Sequence, residues 1–335
     1  MLELRDVSRS AAREPVLVRA SFACSADVPT SVLGLSAASR EAFLNLLSGA
    51  DRPQSGTIRL GGKDVVEVRR RKGSIVRIGS QGARPSGRPV GKVIGREEAA
   101  SVGLDGKMSV LVKDLDLPGR MRLGIAAALV EKPALILLNA PAQELSGEGR
   151  RDFTRDLGGM LGGAACVVVL AAASADEAGG LGGQAVVLES GQIVQVGESA
   201  NVFAHPANLA AAMATSWPAL NTLKMTAQDG TGRLSDGSTF QPPEGVVMPV
   251  AGTCTLAFRP EDATLERAGA NCVRFVVKAD GEAEAGGRSY LRVKFAGTSW
   301  LAPMPAVAAH QGAVVNAFID RARLMVFDAE GKALI

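Results

Sequence analysis

The stretch Gly34-Leu35-Ser36-Ala37-Ala38-Ser39-Arg40-Glu41-Ala42 is where this sequence comes nearest to a phosphate-binding loop. Such a loop, GxxxxGK(S/T), closes a strand and opens a helix. Its backbone N–H groups wrap the phosphates, its Lys reaches the outer ones, and its hydroxyl holds Mg²⁺. The order strand, loop, helix is kept here, since Ser31 to Gly34 ends a strand and Glu41 to Leu47 carries apolar residues at helical spacing. The second Gly, the Lys and the hydroxyl have become Ser39, Arg40 and Glu41. Arg40 keeps the charge of Lys without its shape. A carboxylate at Glu41 suits the dipole of a helix N-terminus, yet it takes the place of a phosphate. Taken alone, the stretch does not count as a phosphate-binding loop and reads first as an ordinary strand-to-helix turn without a ligand.

The elements that would position this loop alternate along the first two thirds of the chain. Met1 to Val7 and Val16 to Cys24 alternate apolar and polar residues as half-buried strands do. Ala134 to Leu138 and Cys166 to Leu170 are fully apolar, as in a buried parallel sheet, and helical spacing precedes them at Met121 to Val130 and Arg150 to Leu161. An α/β sheet follows, with any ligand at the C-terminal ends of its strands. After Leu223 come short alternating runs with Gly turns: Thr255 to Arg259, Cys272 to Lys278, Ser289 to Phe295, Ala313 to Ile319 and Arg323 to Phe327. They predict a small β barrel or sandwich, and two domains, 1–222 and 223–335.

Composition narrows the function. The chain of 335 residues has 37 basic and 34 acidic side chains, a balance of +3 that argues against a nucleic-acid partner. The basic run Arg69-Arg70-Arg71-Lys72 reads as a solvated turn. Cys24, Cys166, Cys254 and Cys272 lie at no zinc-ligand spacing, and no leader pattern opens the sequence, so reduced thiols in the cytoplasm are expected. The apolar stretch around Ala164 to Ala173 is about half of the roughly 20 residues a membrane-spanning helix needs, so contact with a membrane would come through a partner.

Beyond the loop, Leu46-Leu47-Ser48-Gly49-Ala50-Asp51-Arg52-Pro53-Gln54-Ser55-Gly56-Thr57-Ile58 resembles the segment after the phosphate loop of ABC ATPases. The likeness continues in family order. Ser80-Gln81 is similar to the Q-loop, and Arg120-Met121-Arg122 leads into a helix similar to the one after the ABC signature. Leu135-Ile136-Leu137-Leu138-Asn139-Ala140-Pro141 resembles the Walker B strand, and Leu188 to Gly197 resembles the strand pair closing the domain. Phe258-Arg259-Pro260-Glu261-Asp262 and Phe327-Asp328-Ala329-Glu330-Gly331 resemble the TOBE domain of sugar-importer ATPases. The fold implied is a P-loop NTPase (ABC ATPase) domain with a parallel-sheet core, then a small all-β, OB-like TOBE domain.

What the resemblance implies for chemistry lies in its departures. The metal-holding Asp of Walker B is Asn139, a weaker ligand for a hard cation. The Glu that polarises the attacking water is Ala140, which accepts no proton. The switch His corresponds to Ala173, with Glu177-Ala178 anchoring the alignment. The signature becomes Leu115-Asp116-Leu117-Pro118-Gly119, where Asp116 opposes a triphosphate and Pro118 lacks a donor. Leu145-Ser146-Gly147-Glu148-Gly149 spells a closer signature but follows the Walker B strand. Ser8 to Glu14 offers no ring for adenine to stack on, and the interval from Gln81 to the signature is short, implying a trimmed helical subdomain.

The degenerate nucleotide site therefore comprises Gly34, Ser36, Ala37, Ala38, Ser39, Arg40, Glu41, Ala42 and Gln81, with no intact catalytic residue at Asn139, Ala140 or Ala173. Gln81 reads equally as a solvated loop residue. The resemblance implies ATP and Mg²⁺ as cofactors, and the replacements weigh against both. Each lost charge or proton acceptor typically removes ~10² to 10³ in rate. The expected role is a pseudo-ATPase subunit of an importer for a sugar, polyol or glycerol-like solute. It would sit on the inner face of the membrane, with membrane subunits and a second, competent ATPase as partners. Two alternatives stay open: a slow ATPase using Arg40 and another metal ligand, and a non-transport binding module or decaying duplicate.

Overall fold

The computed structural model describes residues 1–11, 13–266, 269, 271–285, 287–295, 297–305 and 310–334. The chain forms two compact units, Met1–His205 and Pro206–Ile335. In the first, chain order is β1 (Leu2–Ala11), β2 (Glu14–Cys24), β3 (Thr30–Leu33), α1 (Ala37–Leu47), β4 (Ser55–Leu60), β5 (Lys63–Asp64), α2 (Val65–Arg69), β6 (Ile75–Ile78), α3 (Arg96–Ser101) and α4 (Leu117–Val130). Then come β7 (Leu135–Asn139), α5 (Gly147–Leu161), β8 (Val167–Ala171), α6 (Ala175–Leu181), β9 (Gln184–Glu189), β10 (Gln192–Glu198) and α7 (Ser199–Ala204).

The central sheet runs β10-β9-β3-β8-β7-β6, parallel except at β10. Residues Leu135 to Leu138 and Val167 to Ala171 are buried throughout, as strands covered on both faces require. A second, antiparallel sheet, β2-β1-β4-β5, shares the core with α1 through Leu2, Leu4, Phe43, Leu44, Leu47, Ile58 and Leu137. Because β3, β6, β7 and β8 are parallel, the segments following all four emerge at one edge.

The helix after β3 begins at Ala37, a turn before the expected Glu41. Ser36 has extended backbone and caps it, its hydroxyl accepting from the Ser39 N–H. Ala37 and Ala38 are thus helical residues rather than loop. Between β6 and α4 the only α-helix among the described residues is α3.

The second unit contains α8 (Leu209–Ala214), β11 (Asn221–Gln228), β12 (Thr231–Leu234), β13 (Thr239–Phe240), β14 (Ala251–Phe258), β15 (Ala263–Thr264), β16 (Cys272–Ala285), β17 (Arg288–Phe295), β18 (Thr298–Pro303), β19 (Val314–Asp320) and β20 (Met325–Phe327). They form two five-stranded antiparallel sheets, β13-β12-β11-β14-β20 and β15-β19-β16-β17-β18. One core joins them, centred on Trp300 with Phe258, Phe275 and Phe295 at centroid distances of 5.0, 5.1 and 5.2 Å. This unit starts before the change of texture near Leu223. Helix α8 reads like the α/β part in sequence, yet its Ala212 packs on Ala257 and Phe327.

All four cysteines are free. No helix among the described residues is long and apolar enough to cross a membrane.

Candidate functional site

Gly34 closes β3 with φ +87°, and a Cβ there would fall 1.8 Å from the Leu188 carbonyl oxygen. Only glycine lets the chain turn so close to β9. It delivers Ser36, Ala37 and Ala38 to the surface, but the two serines of the loop bind each other: Ser36 Oγ donates to Ser39 Oγ at 3.0 Å.

Arg40 does not face the place where a phosphate would lie. It is 7% exposed, and its guanidinium turns back under the loop, with Nη1 donating to the Leu35 carbonyl at 3.2 Å and Nη2 to Gln143 Oε1 at 2.7 Å. Its Nε is buried without a partner. Burial lowers its affinity for the proton, and the nearby Glu177 carboxylate partly restores it.

Glu41, one residue on, is exposed and takes hydrogen bonds at both oxygens. Asn139 Nδ2 donates to Oε2 at 3.1 Å, and Arg77 Nη2 donates to Oε1 at 2.9 Å. Arg77 Nη1 also reaches Asn45 Oδ1 at 2.6 Å, one helical turn beyond Glu41. Helix α1 beyond its first turn, the end of β7 and β6 are thereby tied together through one carboxylate.

Beside this cluster, Ala140 is 1% exposed and has φ +43°, a left-handed conformation unusual for a residue with a Cβ. Its N–H continues the ladder to the Ala171 carbonyl at 3.0 Å. Ala173 is exposed at the loop after β8, and its N–H donates to Glu177 Oε2 at 2.8 Å. Glu177 is fully buried, and its other oxygen accepts the Ala142 N–H at 2.7 Å, so one carboxylate holds the loops after β7 and β8. Burial raises its pKa, while the two N–H groups and Arg150 pull it back. Arg150 completes this layer, bonding Asp176, Ser174 Oγ and the Ala142 carbonyl.

Gln81 is exposed in the turn after β6, in line with the same edge. The stretch Leu115 to Gly119 begins α4: Asp116 is its N-cap, Oδ1 accepting the Gly119 N–H at 3.0 Å, with Pro118 in the first turn. The helix end that would meet a phosphate is capped by the chain's own carboxylate. Ser146, in the second signature-like stretch, precedes α5 and makes no side-chain cap.

Whether ATP and Mg²⁺ fit this edge turns on its donors. A hard dication takes carboxylate, carbonyl and water oxygens. Here Asn139 presents its amide NH₂ to Glu41, and the other oxygen of Glu41 is held by a fixed cation, Arg77. Among the described residues no group of three or more His, Cys, Asp or Glu could hold a metal. The phosphate loop has its hydroxyls paired and its cation turned inward. These residues do not fit Mg·ATP.

Sequence reasoning brought Gly34, Glu41, Gln81, Asn139, Ala140 and Ala173 to one edge, where the structure has them. It passed over Arg77, Asn45, Gln143 and Arg150. Arg77 left a signal, being the lone charge in the strand Ile75-Val76-Arg77-Ile78. Gln143 and Arg150 left none, since their roles depend on partners far along the chain.

No family model matches the sequence. The chain is similar to the spermidine/putrescine import ATP-binding protein PotA of Nitrosomonas europaea, 27% identical over 225 residues, 62% of this chain and 62% of the relative. It is similar to the Fe(3+) ions import ATP-binding protein FbpC of Agrobacterium fabrum, 26% identical over 258 residues, 71% of this chain and 72% of the relative. With the methionine import ATP-binding protein MetN of Caulobacter vibrioides it is 26% identical over 232 residues, 62% of this chain and 70% of the relative. The chain spans less than two thirds of the length of the polyamine relative, 62%, and of an Fe(3+) relative from Rhodococcus jostii, 66%. Among solved structures it resembles cbiO1 from Clostridium perfringens, part of the ABC transporter complex cbiONQ, with TM-score 0.52 and 18% identity over 61% of this chain and 90% of that one. The chain thus contains the ABC ATPase fold, and its sequence is similar to the ATP-binding subunits of ABC importers.

Proposed function

We propose that this chain is an ATP-binding-type subunit of an ABC importer that has given up hydrolysis and serves as a scaffold or regulatory partner on the membrane subunits. The observation that carries the proposal is the state of the edge itself. Where the resembling family needs Lys, Asp, Glu and His, this chain has an inward-turned Arg40, an Asn139 that donates to Glu41, and the methyl groups of Ala140 and Ala173.

The proposal includes a second, competent ATPase, a location on the inner face of the membrane, and a C-terminal TOBE-like unit. The sites of ABC ATPases are shared between two subunits. A degraded phosphate loop together with a degraded signature at Asp116 would therefore impair both sites of a heterodimer, which favours scaffolding over simple one-site asymmetry. The solute belongs to the small polar compounds. Family resemblance points to a sugar, polyol or glycerol-like molecule, while the relatives carry names for polyamine, iron and methionine import.

The test is calorimetric titration of the purified chain with ATP and Mg²⁺, beside a turnover assay on the same preparation. Absence of turnover is expected. Mg²⁺-dependent turnover by this chain alone would replace the proposal with the slow-ATPase reading, in which Arg40 rotates outward.

A further inference from the structure

We propose that Arg77, Glu41 and Asn139 form an internal stand-in for the cation and phosphate that such an edge otherwise binds, so that its loops stay ordered without either. The inference rests on reading this edge as a degenerate nucleotide site. Its substance is a transfer of charge: the carboxylate expected at the end of β7 now stands on α1 as Glu41, and the hydroxyl expected on α1 is replaced. The end of β7 has become the amide Asn139.

The geometry makes the exchange self-consistent. Glu41 bridges β7 and β6 with bonds of 3.1 Å to Asn139 and 2.9 Å to Arg77. Arg77 adds a 2.6 Å bond to Asn45, so its fork grips two side chains on one face of α1. One negative and one positive charge meet, and no neutralising ion is required. A dication approaching Glu41 would have to displace a guanidinium that already satisfies it. A phosphate would meet a carboxylate one turn into α1, with the Ser36 and Ser39 hydroxyls engaged with each other and Arg40 committed to Gln143.

The experiment combines a double-mutant cycle with hydrogen exchange on the full chain. Glu41→Ala, Arg77→Ala and the double variant are compared by thermal unfolding, with Glu41→Gln as a shape-preserving control that also lowers Tm. Exchange is followed in residues 34–47 and 135–143, without additions, with Mg²⁺, and with Mg²⁺ and ATP. Each single variant is expected to lower Tm and speed exchange there, and the double variant to lose less than the sum. Neither Mg²⁺ nor ATP should slow exchange in the unmodified chain. Additive losses, or protection by Mg²⁺ or ATP, would overturn the inference. Protection without hydrolysis would do so while leaving the pseudo-ATPase proposal standing; turnover with the cycle still non-additive would remove the proposal and keep the internal bridge.

Discussion

Arg40 Nη2 donates to Gln143 Oε1 at 2.7 Å, linking the first turn of the helix after β3 to the loop after β7 with no ligand between them. The cation that would be expected to reach outward for a phosphate is spent on holding two segments of the chain. Substituting Met keeps the stem's bulk and removes the bonds to Gln143 and Leu35. The expected loss is about 1.5–3 kcal/mol, read as the shift in chemical denaturation. Arg40→Lys has one ammonium to offer where the guanidinium fork reaches two acceptors, so it should recover only part of this and create no ATP site.

Placing the two family carboxylates at the end of β7 should not produce turnover. In Asn139→Asp/Ala140→Glu the carboxylate at position 139 faces Glu41, and the new Glu side chain has to start from a position 1% exposed. No turnover above background is expected, together with a lower Tm. Turnover would mean that the remaining replacements at Ser39, Arg40, Asp116 and Ala173 matter less than their chemistry argues.

The turn at Gly34 should be intolerant of any side chain. Gly34→Ala combines φ +87° with a Cβ 1.8 Å from a backbone oxygen of Leu188. The cost should be roughly 3 kcal/mol or more, or failure to fold, measured by denaturation or soluble yield. Gly61→Ala, at φ +58° with nothing within 4 Å of its Cβ, is the control that carries the backbone penalty alone.

Glu177 predicts a pH dependence. Burial holds its folded pKa above the ordinary 4.5, so its favourable contribution is complete below that value and fades as pH rises through the raised folded pKa. Glu177→Gln removes this component while giving up one acceptor for a backbone N–H. The Tm deficit of the variant should therefore be larger near pH 4.5 than at neutral pH. A deficit that grows toward neutral pH would show that the N–H groups of Ala142 and Ala173 and the Arg150 guanidinium outweigh the burial.

In the second unit, Asn221 acts as a piece of strand: Nδ2 donates to the Leu301 carbonyl at 2.8 Å and Oδ1 accepts the Leu301 N–H at 3.0 Å. It thereby fastens β11 of one sheet to β18 of the other. Asn221→Ala strands both backbone groups and should cost about 1–3 kcal/mol in unfolding.

Much of this molecule could be read from its residues in order. Strands and helices announced themselves through periodicity, because burying one face of an element is a local demand on residue spacing: Ala134 to Leu138 reads as a buried strand and Met121 to Val130 as a helix, where the structure has Leu135–Asn139 and Leu117–Val130. The common edge of Gly34, Asn139 and Ala173 followed from a parallel sheet, which sends every strand's C-terminal end the same way. Which residue types stand at Asn139, Ala140 and Ala173 was also legible, since that is a property of the residues alone.

What the tertiary structure decided is how the side chains at this edge pair with one another. That Arg40 turns inward, that Glu41 answers both Asn139 and Arg77, and that Glu177 ties two loops depends on side chains brought together from α1, β6, β7 and α6. The unit boundary likewise lies at His205 because α8 packs on β14 and β20 of the second unit, to which it belongs, whatever its helical texture suggests. Periodicity records only whether a residue is buried. A hydrogen bond between residues 98 positions apart, such as Asn139 to Glu41, depends on distances and directions that exist only once the sheet has assembled.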